Sequence, residues 1–182
     1  MPALRPAAPS DLPALHALID ASVRALSRGH YTPRQVESAL RHVFGPDTQL
    51  IADGTYYVLC APDGDVAAAG GWSRRRTLYG GDQMKGADDP PLDPAREPAR
   101  VRAFFVHPAW ARRGLARRLL ARCAADAAAA GFRAFELMAT LPGEPLYRAL
   151  GFAEVGREEA ALPDGERLPL VRMARPLDPD TA

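Results

Sequence analysis

Cysteine is nearly absent, with only Cys60 and Cys123 among 182 residues. Both lie in apolar surroundings, and they form neither a disulfide framework nor the paired spacing of a zinc site, so reduced buried thiols are expected. The four histidines, His16, His30, His42 and His107, also lack metal-ligand spacing, and no metal is expected. Net charge is equally scarce: 23 Lys plus Arg stand against 22 Asp plus Glu, a formal charge of +1. That balance supplies no global field for nucleic acid or an anionic membrane, so neither is expected as a partner and any anion site has to be local. No run reaches the ~18 apolar residues of a membrane span. The segment from Met1 to Asp11 has prolines and a serine instead of an apolar signal core. A soluble, cytoplasmic protein is the expectation. The absence of a Gly-x-x-x-x-Gly-Lys-Ser/Thr loop argues against a nucleotide-binding protein of that type. No Ser-His-Asp or Cys-His constellation is evident, which favours direct transfer chemistry over a covalent enzyme intermediate.

What is present is a 47% hydrophobic chain, enough for one domain with a substantial core, which we place at residues 1–178 with a tail at 179–182. Leu4 and Arg5 suggest a short extended segment. Ser10 and Asp11 offer capping oxygens to an amphipathic helix through Leu12, Leu15, Leu18, Ile19, Val23 and Leu26. Thr32-Pro33 starts a second helix. Tyr56-Tyr57-Val58 reads as a strand, and the turn Pro62 to Asp65 returns the chain into Val66 through Trp72 as a hairpin. Residues 80–98, rich in Gly, Asp and Pro, read as a loop insertion between strands. Val101 to Val106 is the next strand. Leu115, Leu119, Cys123 and Ala127 recur every four residues in a helix from Gly114 to Ala130. A strand at Ala134 to Met138, a short helix at Glu144 to Leu150, and closing strands near Phe152 to Val155 and Leu168 to Met173 complete the pattern.

Between Arg112 and Arg133 stand six arginines and one acid, Asp126, on an otherwise neutral chain. Five of the arginines crowd the first half of a helix, where the macrodipole penalises a cation by ~0.3–1 kcal/mol. A bound polyanion reconciles the two. The first amides of that helix have no internal partners and suit a phosphate, and Gly114 and Ala116 permit close backbone approach. From charge alone, a solvated basic helix with a tight entry turn is an equal reading.

The run Val106-His107-Pro108-Ala109-Trp110-Ala111-Arg112-Arg113-Gly114-Leu115-Ala116-Arg117 resembles the acetyl-coenzyme A motif of the GNAT acetyltransferase superfamily, Gln/Arg-x-x-Gly-x-Gly/Ala. Gly114 and Ala116 match, whereas Ala111 occupies the first motif position. Downstream, Leu146-Tyr147-Arg148-Ala149-Leu150-Gly151-Phe152 is similar to the family's closing signature, without its preceding asparagine. The resemblance implies an α+β fold with a mixed, mostly antiparallel central sheet, flanked by helices and splayed at the strand ending near Val106. It implies acetyl-coenzyme A as co-substrate, with pyrophosphate at Arg112, Arg113, Gly114, Leu115, Ala116 and Arg117, and pantetheine along Phe104, Phe105 and Val106. By the same resemblance Tyr147 protonates or hydrogen-bonds the departing sulfur. The expected acceptor is a primary amine of a small molecule or peptide, entering beside His30, Tyr31 and Trp72. Arg74, Arg75 and Arg76 would suit an acceptor that also carries an anionic group. Glu97 and His107 flank the cofactor strand as candidate bases acting through water, although an exposed loop acid and a structural strand-end histidine are the better readings of the two. A homodimer is compatible with this reading. The alternative function is a non-catalytic acyl-coenzyme A binding or sensing module.

Overall fold

The computed structural model describes residues 1–177, so the tail expected at 179–182 lies outside the described residues. The strands are β1 (Ala3–Pro6), β2 (Tyr56–Cys60), β3 (Val66–Ser73), β4 (Ala99–Val106), β5 (Ala134–Thr140), β6 (Ala153–Ala161) and β7 (Arg167–Pro176). They form one sheet in the order β1-β2-β3-β4-β5-β7-β6. All neighbours are antiparallel except β4 and β5. The helices are α1 (Leu12–Leu26), α2 (Pro33–His42), α3 (Thr48–Ala52), α4 (Leu115–Ala129) and α5 (Glu144–Ala149). This is the expected α+β arrangement.

Local chemistry explains the boundaries. Thr32 caps α2 through its side chain, Gln35 reciprocates to the Thr32 amide, and Pro33 fills the first turn. Asp47 caps α3 by accepting from the Leu50 amide. Helix α3 has five residues, Thr-Gln-Leu-Ile-Ala, too few to show a 3.6-residue period, which is why the sequence pattern missed it. Residues 80–98 are less loose than a plain insertion. Leu92 is buried, and backbone pairs Leu92–Arg74 and Arg76–Pro90 extend the β3 end into the segment.

The two sheet faces have different cores. On one, Leu115, Leu119, Cys123 and Ala127 of α4 pack on Tyr57, Leu59, Phe135 and Leu137. On the other, Leu15 and Leu18 of α1 pack on Tyr56, Val58 and Ala69, while Ala39 and Val43 pack with Tyr31, Leu168 and Leu170. Between the parallel strands only Ala99–Phe135 and Arg100–Glu136 pair before the strands diverge. The splay therefore begins after Arg100.

A bulge interrupts the ladder between β3 and β4. Ala69 pairs Phe105 and Gly71 pairs Arg102, so Ala103 and Phe104 together face Gly70. Ala103 adopts φ 53°, an unusual left-handed conformation for a residue with a Cβ. A Cβ on Gly70 would stand 2.6 Å from the Phe104 ring, so glycine is required for that ring to cross the strand.

Candidate active site

The splay opens into a cavity of about 550 Å³ that runs from the start of α4 to the junction of α1 and α2. At the α4 end, β4 stops at Val106 and His107 accepts from the Ala109 amide through Nδ1, starting a short 3-10 turn over Pro108–Trp110. Arg112 then takes φ 61° and Gly114 φ 76°, which turns the chain sharply into α4. Space around a Gly114 Cβ is open, and the first turn of α4 carries no acid. The amides opening α4 therefore face the cavity mouth without an internal acceptor.

Arg112, Gly114, Leu115, Ala116 and Arg117 line this end, and Phe104, Phe105 and Val106 line the adjoining strand wall. Arg113 is not in the wall; its guanidinium lies over the Trp110 ring at 4.8 Å. Two of the remaining basic residues are engaged outside the cavity. Arg118 donates to the Pro2 carbonyl at 2.9 Å, and Arg122 pairs with Asp126 at 2.9 Å and covers Tyr57. The arginine cluster thus divides into cavity-lining and structural members, which residue counting alone does not separate.

Tyr147 reaches the cavity midway along it, 9% exposed, with its ring edge on Phe152 at 5.6 Å. Its hydroxyl makes no hydrogen bond among the described residues. Burial pushes its pKa up, and the Cys123 thiol acts in the same direction. The phenol consequently stays protonated through neutral pH. Burial likewise pushes the Cys123 thiol up, so it is no thiolate nucleophile. At α5, Leu150 of the C-terminal cap is buried, whereas Leu146 is 39% exposed in the cavity wall.

At the other end the structure brings His30 into the wall but not its two expected companions. Tyr31 is a buried strut. Its hydroxyl donates to the Pro169 carbonyl at 2.6 Å and accepts from the Leu141 amide at 2.9 Å, and burial pushes its pKa up to about 12. Trp72 is 2% exposed on the α4 face, packed edge-on against Phe132 at 5.9 Å. The alternation of β3 explains this, because Gly71 and Trp72 point to opposite faces. The arginines that follow are also occupied: Arg74 lies over Trp72, Arg75 pairs with Asp53 at 2.8 Å, and Arg76 approaches Glu97 at 3.7 Å. Neither Glu97 nor His107 lines the cavity.

Leu26, Phe44, Tyr79 and Met138, none of them expected in the site, build the rest of that end together with Phe105, which was expected along the cofactor. Behind them Arg102, 3% exposed, donates to Asp47 at 2.8 Å, to the Thr77 carbonyl at 2.8 Å and to the Gly80 carbonyl. Asp47 is fully buried and also pairs with Lys85. Desolvation lowers the Arg102 pKa while Asp47 opposes the shift. This cluster fastens the 77–85 loop, and with it the Tyr79 wall, to α3 and β4.

Residues 92–173 match the family model described as acetyltransferase (GNAT) domain. No curated protein matches the chain. Among solved structures, a GCN5-related N-acetyltransferase from Rhodopseudomonas palustris superposes with a TM-score of 0.70 at 21% identity, over 97% of this chain and 96% of that one. The ribosomal-protein-S18-alanine N-acetyltransferase of Escherichia coli gives 0.60 at 19% identity, covering 98% and 95%. A phosphinothricin acetyltransferase from Sinorhizobium meliloti, in complex with acetyl-CoA, gives 0.59 at 23% identity, covering 97% and 88%. The splayed sheet and the turn into α4 define the GNAT acetyltransferase class of fold. Residues 92–173 are thus similar to a GNAT acetyltransferase domain, and the chain as a whole shares the fold of these acetyltransferases.

Proposed function

We propose that the protein transfers an acetyl group from acetyl-coenzyme A to a primary amine by direct attack. The observation that carries this is the position of Tyr147, a phenol with no hydrogen-bond partner among the described residues, in the wall of the cavity that the α4 entry and the acceptor end share. The α4 entry fits a pyrophosphate, because its amides are unpaired, Gly114 leaves open space, and Arg112 and Arg117 add positive charge beside them. The exposed strip of β4 beyond Arg100 has backbone groups free of β5 and suits the amides of pantetheine.

Acetyl-coenzyme A supplies an activated acyl carbon and a thiol leaving group. The chain's own part is to hold both ends and to manage protons. Phe104, Phe105 and Val106 align one wall, and the α4 amides fix the diphosphate. The amine nitrogen forms the new bond to the acyl carbon as the carbon–sulfur bond breaks, and Tyr147 gives its proton to the sulfur. The amine sheds its proton to solvent at the acceptor end, where His30 stands in the wall. A sensing module would share the anion site without needing the Tyr147 proton.

Calorimetry with acetyl-coenzyme A tests the anion site. Gly114→Asp places a carboxylate at the diphosphate and is expected to abolish binding, whereas Gly114→Asn, equally tolerant of positive φ, retains most of it. Equal affinities for wild type and Gly114→Asp would falsify the assignment.

A further inference from the structure

The acceptor end of the cavity is walled mainly by apolar side chains, with Ser22, Ser27 and His30 as polar neighbours, and contains no counter-charge for a second ammonium group. Leu26, Phe44, Tyr79, Phe105 and Met138 supply its walls. Phe44 and Phe105 meet edge to face at 6.1 Å and 72°, leaving ring surface of both at the cavity. Each of these five side chains except Leu26 is half-buried, and Leu26 is 40% exposed at the rim. No Asp, Glu or Lys occurs among the described residues that line the cavity, and the one lining cation of this end, Arg102, is already spent on Asp47 and two carbonyls.

The carboxylates behind the wall are also neutralised. Asp47 is held by Arg102 and Lys85, and Glu136 is held by Arg100 at 2.6 Å and by Arg172. Glu158 lies close enough to influence Tyr79, but it is exposed and also faces Arg172. A polyamine, or an acceptor with its own carboxylate, would have to shed water from a charge with no partner in this slot. A flat apolar ring would meet aromatic faces and a methionine sulfur instead.

We propose that the acceptor is an aryl-bearing primary amine without a second charge, its ring held between Phe44, Phe105, Tyr79 and Met138 and its nitrogen directed toward Tyr147. The inference rests on the acetyltransferase reading above, and it narrows the acceptor by the chemistry of the slot. The tenting of the Tyr79 wall by Arg102 keeps the slot open before the acceptor arrives, so little ordering of the loop is needed on binding.

The test compares phenethylamine and tryptamine with spermidine, glutamate and a lysine-containing peptide, reading free thiol from acetyl-coenzyme A. The aryl amines are expected to exceed each of the others in kcat/KM by roughly tenfold or more. Phe44→Ala should raise the aryl amine KM about tenfold while leaving the acetyl-coenzyme A KM unchanged. Should Phe44→Ala not fold, Met138→Glu reads the opposite wall: aryl turnover falls and spermidine turnover rises. Preference for a charged acceptor, or an aryl KM indifferent to both variants, overturns the proposal while leaving acetyl transfer intact. If no amine is acetylated, phenethylamine titrated into the protein saturated with coenzyme A still reports on the slot. Saturable binding lost in Phe44→Ala supports the proposal, and no binding overturns it.

Discussion

In the proposed reaction Tyr147 carries the heaviest chemical demand of any single side chain. Its pKa is raised by burial, so the proton it would give to sulfur is retained above the ordinary phenol value of about 10. The rise favours the protonated form, and any loss of activity through Tyr147 ionisation therefore falls at alkaline pH, beyond about 10. A kcat profile measured up to pH 10 should show no descending limb that vanishes in Tyr147→Phe; such a limb near pH 8 would contradict the role. Tyr147→Phe is expected to lower kcat by roughly 10²-fold with acetyl-coenzyme A affinity unchanged, as for loss of a proton donor acting in the transition state. Steady-state rates alongside calorimetry check both halves. Other residues show how partial a sequence reading is at this scale. Tyr31 and Trp72 have the composition of binding residues, yet their placement depends on partners 110 and 138 positions away for the Tyr31 hydroxyl and on strand alternation for Trp72. Chain-local patterns contain neither.

Among the elements, the β4–α4 unit was the most legible, because its strand, turn and helix are adjacent in sequence and Gly114 marks the sharp entry. The short α3 and the anchored 77–85 loop were not, since Arg102 and Asp47 are separated by 55 positions. Their pairing is nonetheless what fixes one wall of the cavity. Both side chains are buried, at 1% and 0% exposure, so removing Arg102 takes from the buried Asp47 carboxylate one of its two cations and leaves Lys85 as the other. Arg102→Met is expected to destabilise the fold by about 3–5 kcal/mol, the usual cost of breaking a buried pair. Arg102→Met with Asp47→Asn should recover part of that loss. Urea unfolding of the single and double variants measures it, and a single variant as stable as wild type would show that the pair contributes nothing. A second reading comes from acceptor KM, which should rise in a folded Arg102→Lys variant while acetyl-coenzyme A KM holds.

For the molecule as a whole, the splay between β4 and β5 is the organising feature. Two residue pairs hold the parallel strands together at one end, and the opening beyond them creates the cavity between two separate cores. The fold class was legible from strand and helix order together with the two motifs, whereas the shape of the acceptor end was not, because it assembles side chains from α1, the α2–α3 junction, the 77–85 loop, β4 and β5. Ligand binding to the folded state alone should stabilise it by about 2.7 kcal/mol at a hundredfold excess over Kd. For a chain of this size that corresponds to a rise in Tm of roughly 5–10 °C. Acetyl-coenzyme A is expected to give that shift in wild type and none in Gly114→Asp, measured by differential scanning calorimetry.

The most direct measurement of acetyl transfer follows both products of one reaction, coenzyme A thiol and acetylated amine, with the purified protein, acetyl-coenzyme A and phenethylamine. The account predicts that thiol and N-acetylphenethylamine appear in equal amounts, at a rate that saturates in both substrates and falls about 10²-fold in Tyr147→Phe. Acetyl-coenzyme A bound tightly, with neither thiol nor acetylated product released from any amine of the panel, would contradict it and assign the fold to binding alone.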